Sequence, residues 1–148
     1  MSEILSNAAI WIPFFSWCTV QIFKFVMELL IHKKLDVRRL WGSGGMPSSH
    51  SATVMALTTV AGIYEGLDSF AFAACFVFSI IVMYDAAGVR RAAGKQARVL
   101  NQILAAKKNE INVQEKLVEL LGHTPIEVFV GAIFGVINAI VLYKVFWA

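Results

Sequence analysis

"PSSHSATVMALTTVAGIYEGLDSFAFAACFVFSIIVMY", residues 47–84, decides the architecture. Two apolar runs, Pro47–Tyr64 and Phe70–Tyr84, flank a short polar stretch with Gly66 near its centre, which reads as a tight turn. A helical hairpin returns to the membrane face it left, whether its short arms span the bilayer or only dip into it. Ser48–His50 and Asp85–Arg91, at its two ends, therefore share one face.

Working outward, Ala8–Ile31 and Ile126–Trp147 are long enough to cross a hydrocarbon core of about 30 Å. Apolar residues make up 58% of the 148, and the mean hydropathy of +0.68 exceeds that of soluble domains. The expected fold is all-α: a single domain over residues 1–148, an integral membrane helical bundle with about four membrane helices and a cytoplasmic amphipathic helical segment. That segment is read at residues 99–121, as one or two helices closing at Gly122.

Charge sets the orientation. Of 13 Lys and Arg, Lys33, Lys34, Arg38 and Arg39 precede the hairpin, seven fall in residues 85–122, and the hairpin turn carries only Glu65 and Asp68. The positive-inside rule places both basic segments in the cytoplasm of a multi-pass cell-membrane protein and both termini on the other side. Residues 86–122 contain no span, so His123 joins the cytoplasmic face. Trp41 and Trp147 fall where interfacial aromatic anchors sit. The net charge of +3 suits anionic lipid headgroups and does not point to nucleic acid. Cys18 and Cys75 both lie inside apolar runs, as buried small hydrophobes do.

Three polar clusters converge on that face. In "GSGGMPSSHS", residues 42–51, a serine can cap the helix that starts there. Gly45, Ser48, Ser49 and His50 together make a better case for an anion site at a helix N-terminus. In "YDAAGVRRAAGKQARV", residues 84–99, Asp85, Arg90 and Arg91 lie closest to the apolar boundary. Arg91, Lys95 and Arg98 form a helical stripe that suits either a phosphate or lipid headgroups. In "LLGHTPIEVFVG", residues 120–131, Thr124-x-x-Glu127 with Pro125 is a capping box, which leaves His123 unexplained. Gly131-x-x-x-Gly135 permits close helix approach, within the chain or across a homo-oligomer. Lys24, inside the first span, pairs with Glu28 or helps hold an anion near the cytoplasmic side.

Those three stretches, in this order, resemble the divergent branch of the type 2 phosphatidic acid phosphatase superfamily, which is related to vanadium haloperoxidases and bacterial acid phosphatases. The resemblance covers most of the chain. It implies a helical bundle with its site at one end, a histidine nucleophile, and no obligatory metal or cofactor. "PSSH" is similar to the family's proline-serine-glycine-histidine motif. That makes Ser48 and Ser49 phosphate contacts and His50 the acid that protonates the leaving oxygen. His123-x-x-x-Glu127 resembles the family's histidine followed four positions later by aspartate, which makes His123 the nucleophile and Glu127 its orienting carboxylate. The family's lysine with an arginine-proline seven residues on, and its serine-arginine pair before the nucleophile, have no counterpart at those spacings. Lys24, Arg38 and Arg39 are loose candidates for the first, and Arg90 or Arg91 for the second, with Asp85 in support.

The activity implied is metal-independent hydrolysis of a lipid phosphate, a phosphatidylglycerophosphate or polyprenyl phosphate in type, through a phosphohistidine at the cytoplasmic face. Its partners are that substrate and membrane lipids. Two rivals stand beside it: a phosphate- or lipid-binding scaffold with weak or no turnover, and a small transporter subunit, suggested by the charges in the first span.

Overall fold

The computed structural model describes residue 4 and residues 6–32, 45–106, 117–119 and 121–147. Residues 33–44 lie outside that set, with the calls on Arg38, Arg39 and Trp41. Among the described residues, five α-helices follow one another: α1 (Ala8–His32), α2 (Ser49–Glu65), α3 (Phe70–Ala87), α4 (Val89–Ala106) and α5 (Pro125–Phe146). No strand occurs among the described residues. The protein is an all-α integral membrane bundle, and α1, α3 and α5 are long and apolar enough to cross a membrane.

Local chemistry explains the helix starts. Asn7 Oδ1 accepts from the Ala9 N–H and opens α1. Ser48 Oγ accepts from Ser51 N at the head of α2, and Ser69 Oγ accepts from Phe72 N at the head of α3. Between α2 and α3 the chain reverses at Gly66, whose φ of 88° suits a residue without a side chain. The Ser69 hydroxyl donates back to the Gly66 carbonyl at 2.7 Å and closes the turn.

The expected hairpin is therefore present, and its first arm is the centre of the molecule. Helix α2 packs against α1, α3 and α5. Its buried residues are small or β-branched: Ser49, Ser51, Ala52, Val54, Ala56, Thr58, Val60 and Ala61. In a bilayer the apolar surface of a helix gains little by leaving lipid, so close packing and hydrogen bonds must hold the bundle. Both are visible. An added Cβ at Gly131 would strike the backbone of Ser48, and one at Gly135 the backbone of Ala52, so α5 lies directly on α2. The Gly-x-x-x-Gly face is thus used inside the chain. On the other flank Ser79 Oγ lies 2.7 Å from Thr58 Oγ1 and donates to the Val54 carbonyl, tying α3 to α2. The outer faces carry exposed Phe76, Val77, Ile80 and Ile81 on α3, as lipid-facing positions require.

The amphipathic helix starts earlier than expected: it begins at Val89, directly after α3, and runs to Ala106, with residues 107–116 and 120 outside the described set. Residues 117–119 and 121 are non-helical. Residues 117–119 and 121–123 lie along α4 and the end of α3 through side-chain and backbone contacts. Asn101 Nδ2 donates to the Leu117 carbonyl at 2.8 Å, and Leu117 N donates to Asn101 Oδ1 at 3.0 Å. A Cβ at Gly94 would lie 2.6 Å from the Glu119 carbonyl oxygen. Gly122 has φ 79° and closes no helix; its missing side chain lets it sit against the backbone of Arg90 and Arg91.

Candidate phosphoryl-transfer site

The capping box of α5 builds the first half of the site. Thr124 Oγ1 accepts from Glu127 N at 3.3 Å, and Thr124 N donates to Glu127 Oε2 at 3.1 Å. The same Oε2 lies 3.1 Å from His123 Nδ1. A carboxylate only accepts, so the proton of this bond sits on Nδ1, and a neutral ring keeps its lone pair on Nε2. His123 is 2% exposed, and its Nε2 is buried with no partner among the described residues. A buried imidazole nitrogen held ready in this way is what a nucleophile requires. Its main chain is fixed too, because His123 N donates to the Ala86 carbonyl at 2.9 Å.

The second half comes from the head of α2. Ser48 N donates to the Glu127 carbonyl at 3.0 Å, which joins the first turns of α2 and α5. The His50 ring centroid lies 6.1 Å from that of His123, the planes at 63°. His50 Nδ1 and Ser51 Oγ are likewise buried without a partner among the described residues.

Four charges complete the neighbourhood. Burial holds the His123 imidazole below the ordinary histidine range, helped by the positive charges of Lys24 and Arg90 and opposed by its bond to Glu127. Burial also lowers His50, followed by Arg90, His123 and Lys24, while the Asp85 carboxylate opposes them. His50 lies at the end of the bundle, outside the three spans. Both rings therefore favour the neutral form at neutral pH.

The sequence-derived candidates divide accordingly. His50, His123, Glu127 and Ser48 are brought together by the α2–α5 junction, and the charges of Lys24, Arg90 and Asp85 reach the imidazoles. Ser48 also caps α2, so its hydroxyl has the ordinary role as well. Ser49 is buried beside it, whereas Gly45 is exposed with φ 79° and open space where a Cβ would be. Arg90 Nε donates to Asp85 Oδ2 at 2.8 Å. Arg91 is exposed, and of the basic stripe Arg98 is turned to Glu119, 3.5 Å away. Sequence reasoning gave no role to Ser51 or to the Ala86 carbonyl. The serine stood in the quoted motif, but no sequence signal identifies a backbone acceptor.

A membrane helical bundle with a carboxylate-held histidine facing a second imidazole at one end defines the class. The chain belongs to the divergent PAP2 family, whose model matches residues 5–138. It is 40% identical over 152 residues to the uncharacterized membrane protein YuiD of Bacillus subtilis (strain 168), across 95% of this chain and 96% of that one. No solved structure matches.

Proposed function

We propose that the protein is a membrane phosphomonoesterase that hydrolyses a lipid phosphate at the cytoplasmic face of the cell membrane. The observation that carries this reading is His123: Nδ1 is held by Glu127, and Nε2 is buried beside His50 with no partner among the described residues. The Nε2 lone pair attacks phosphorus as the bond to the lipid oxygen breaks. That oxygen takes a proton from His50 in its imidazolium form, which the negative charge of the bound phosphate favours over the empty site, and leaves as an alcohol. Water, deprotonated by His50, then attacks the phosphohistidine and releases phosphate. Charge in such a transfer spreads over the equatorial oxygens, so positioned cations and N–H groups do most of the work. Lys24, Arg90 and the free N–H groups at the head of α2 are the groups for it. A site at one end of a bilayer-embedded bundle favours a phosphate carried on a phosphatidylglycerol- or polyprenyl-type tail. The basic segments set the cytoplasmic orientation by the positive-inside rule.

The test compares two leaving groups. His123→Ala abolishes hydrolysis of every substrate. Loss of a general acid costs about 10²–10⁴-fold where the leaving group is an alkoxide and much less for p-nitrophenolate. His50→Ala therefore loses most activity on a lipid phosphate and keeps a substantial share on p-nitrophenyl phosphate. Equal losses on both substrates would show that His50 is not the acid. A second reading, a phosphate-binding protein without turnover, is favoured by the absence of the family's two cationic motifs. Tight vanadate or phosphate binding with no product release by the purified protein supports it.

A further inference from the structure

Asp85 and Arg90 are five residues apart, a spacing that an uninterrupted helix would place on divergent faces, since five steps of about 100° leave the side chains about 140° apart. They meet because α3 stops at Ala87, Gly88 leaves the helical conformation, and α4 starts again at Val89. The elbow made by this break is attached to the nucleophile. The residue after Asp85 accepts the His123 N–H, and a Cβ at Gly122 would lie 2.8 Å from the Arg90 carbonyl carbon. Arg90 Nε donates to Asp85 Oδ2 at 2.8 Å, which uses one of the guanidinium's five N–H donors.

We infer that Asp85 is a positioning residue, which holds Arg90 by Nε beside the His50–His123 pair so that Arg90, rather than Arg91, supplies the guanidinium for phosphoryl oxygens. This rests on the phosphatase reading above and names the cation it needs. The twin arginines differ in surroundings. Both are exposed, but the Arg90 guanidinium is bound to Asp85 and its charge acts on both imidazoles, whereas the main chain of Arg91 lies under Gly122. A carboxylate at Nε leaves the outer edge of the guanidinium for a second, bidentate acceptor, and two oxygens of a phosphate match that fork. The Asp85–Arg90 pair is itself about half exposed, with side-chain accessibilities of 42% and 48%. Such pairs contribute little to stability, so the elbow has little to gain from it as a structural clamp.

The test uses the full chain in detergent or nanodiscs, with vanadate binding measured by calorimetry and kcat and KM measured on p-nitrophenyl phosphate. Arg90→Lys weakens vanadate binding by about 10–100-fold, the worth of a charge-assisted hydrogen bond, and by at least tenfold more than Arg91→Lys does. Asp85→Asn weakens it in the same direction with an unchanged melting temperature. In the double variant Asp85→Asn adds nothing to Arg90→Lys, because a positioning residue acts only through its partner. Additive losses, or equal losses for Arg90→Lys and Arg91→Lys, overturn the assignment. So does Asp85→Asn without effect on binding, or a wild-type chain that binds no vanadate. A chain that binds vanadate in this Asp85-dependent way but hydrolyses nothing overturns the phosphatase reading and leaves the positioning role standing.

Discussion

Glu127 Oε2 accepts from two donors, the Thr124 N–H that closes the capping box and the Nδ1–H of His123. A local helix-start device thus also holds the ring of His123, the proposed nucleophile. Glutamine can serve at the same capping position, so Glu127→Gln separates the two jobs. The helix start survives with little loss of stability, while a neutral partner no longer favours the correct tautomer. The rate falls steeply, toward the roughly 10⁴-fold seen when an orienting carboxylate becomes an amide. Glu127 also raises the His123 pKa against the effect of burial. Its replacement moves the acid limb of kcat/KM to lower pH while the plateau falls. A limb that moves to higher pH contradicts this assignment. The same shifts act on stability. Both histidines sit below the ordinary value in the folded protein, so the unfolded chain binds more protons once pH falls through about 6.5. Above that value they contribute no pH dependence. Below it the melting temperature declines until the folded-state values are passed, and His50→Gln and His123→Gln each reduce the decline.

Among the elements, some were plain in the sequence and others were not. The α2–α3 hairpin was legible because its turn is written locally, with a positive-φ glycine and a capping serine. The start of α5 was legible for the same reason. Helix α4 and the stretch beside it were not. Helical periodicity over residues 99–121 suggests one or two helices closing at Gly122, but residues 117–119 and 121–123 are held by Asn101, Gly94 and the α3–α4 elbow. Those are long-range contacts with no local sequence signature. The candidate site divides in the same way: the histidines, Glu127 and Ser48 were readable as motifs, while Ser51 and the elbow geometry needed coordinates. The α2–α5 seam yields the prediction at this scale. Gly131→Ala and Gly135→Ala each press a Cβ on backbone, of Ser48 and of Ala52, and overpacking of this kind costs about 1–3 kcal/mol. Both variants lower the melting temperature. Only Gly131→Ala, beside the Ser48–Glu127 bond, also lowers the activity of the protein that remains folded. A loss of activity per folded molecule in Gly135→Ala equal to that in Gly131→Ala would break the link between the seam and the site.

At the scale of the molecule, the candidate site and the apolar core lie at opposite ends. His50, Asp85, Arg90 and His123 gather where α2 and α5 begin and α3 ends. At the far end Tyr64 meets Tyr143 edge-on, Trp147 Nε1 donates to the Ser6 carbonyl, and Ile12, Ala56, Val60 and Ala139 form the apolar core. The first arm of the hairpin is a 17-residue helix, about 26 Å long, close to the thickness of the hydrocarbon core. Helix α2 is also enclosed by three helices that are each long enough to span. An arm of that length inside such a bundle carries the Gly66–Ser69 turn to the face opposite the site. Single cysteines at Lys95 and Asp68, both exposed, test this in a background from which Cys18 and Cys75 have been removed. In intact cells an impermeant maleimide labels the cysteine at position 68, and the one at position 95 only after the membrane is opened. Labelling of both from outside would turn the site away from the cytoplasm. Protection of both in intact cells would mean that the hairpin dips into the bilayer and comes back.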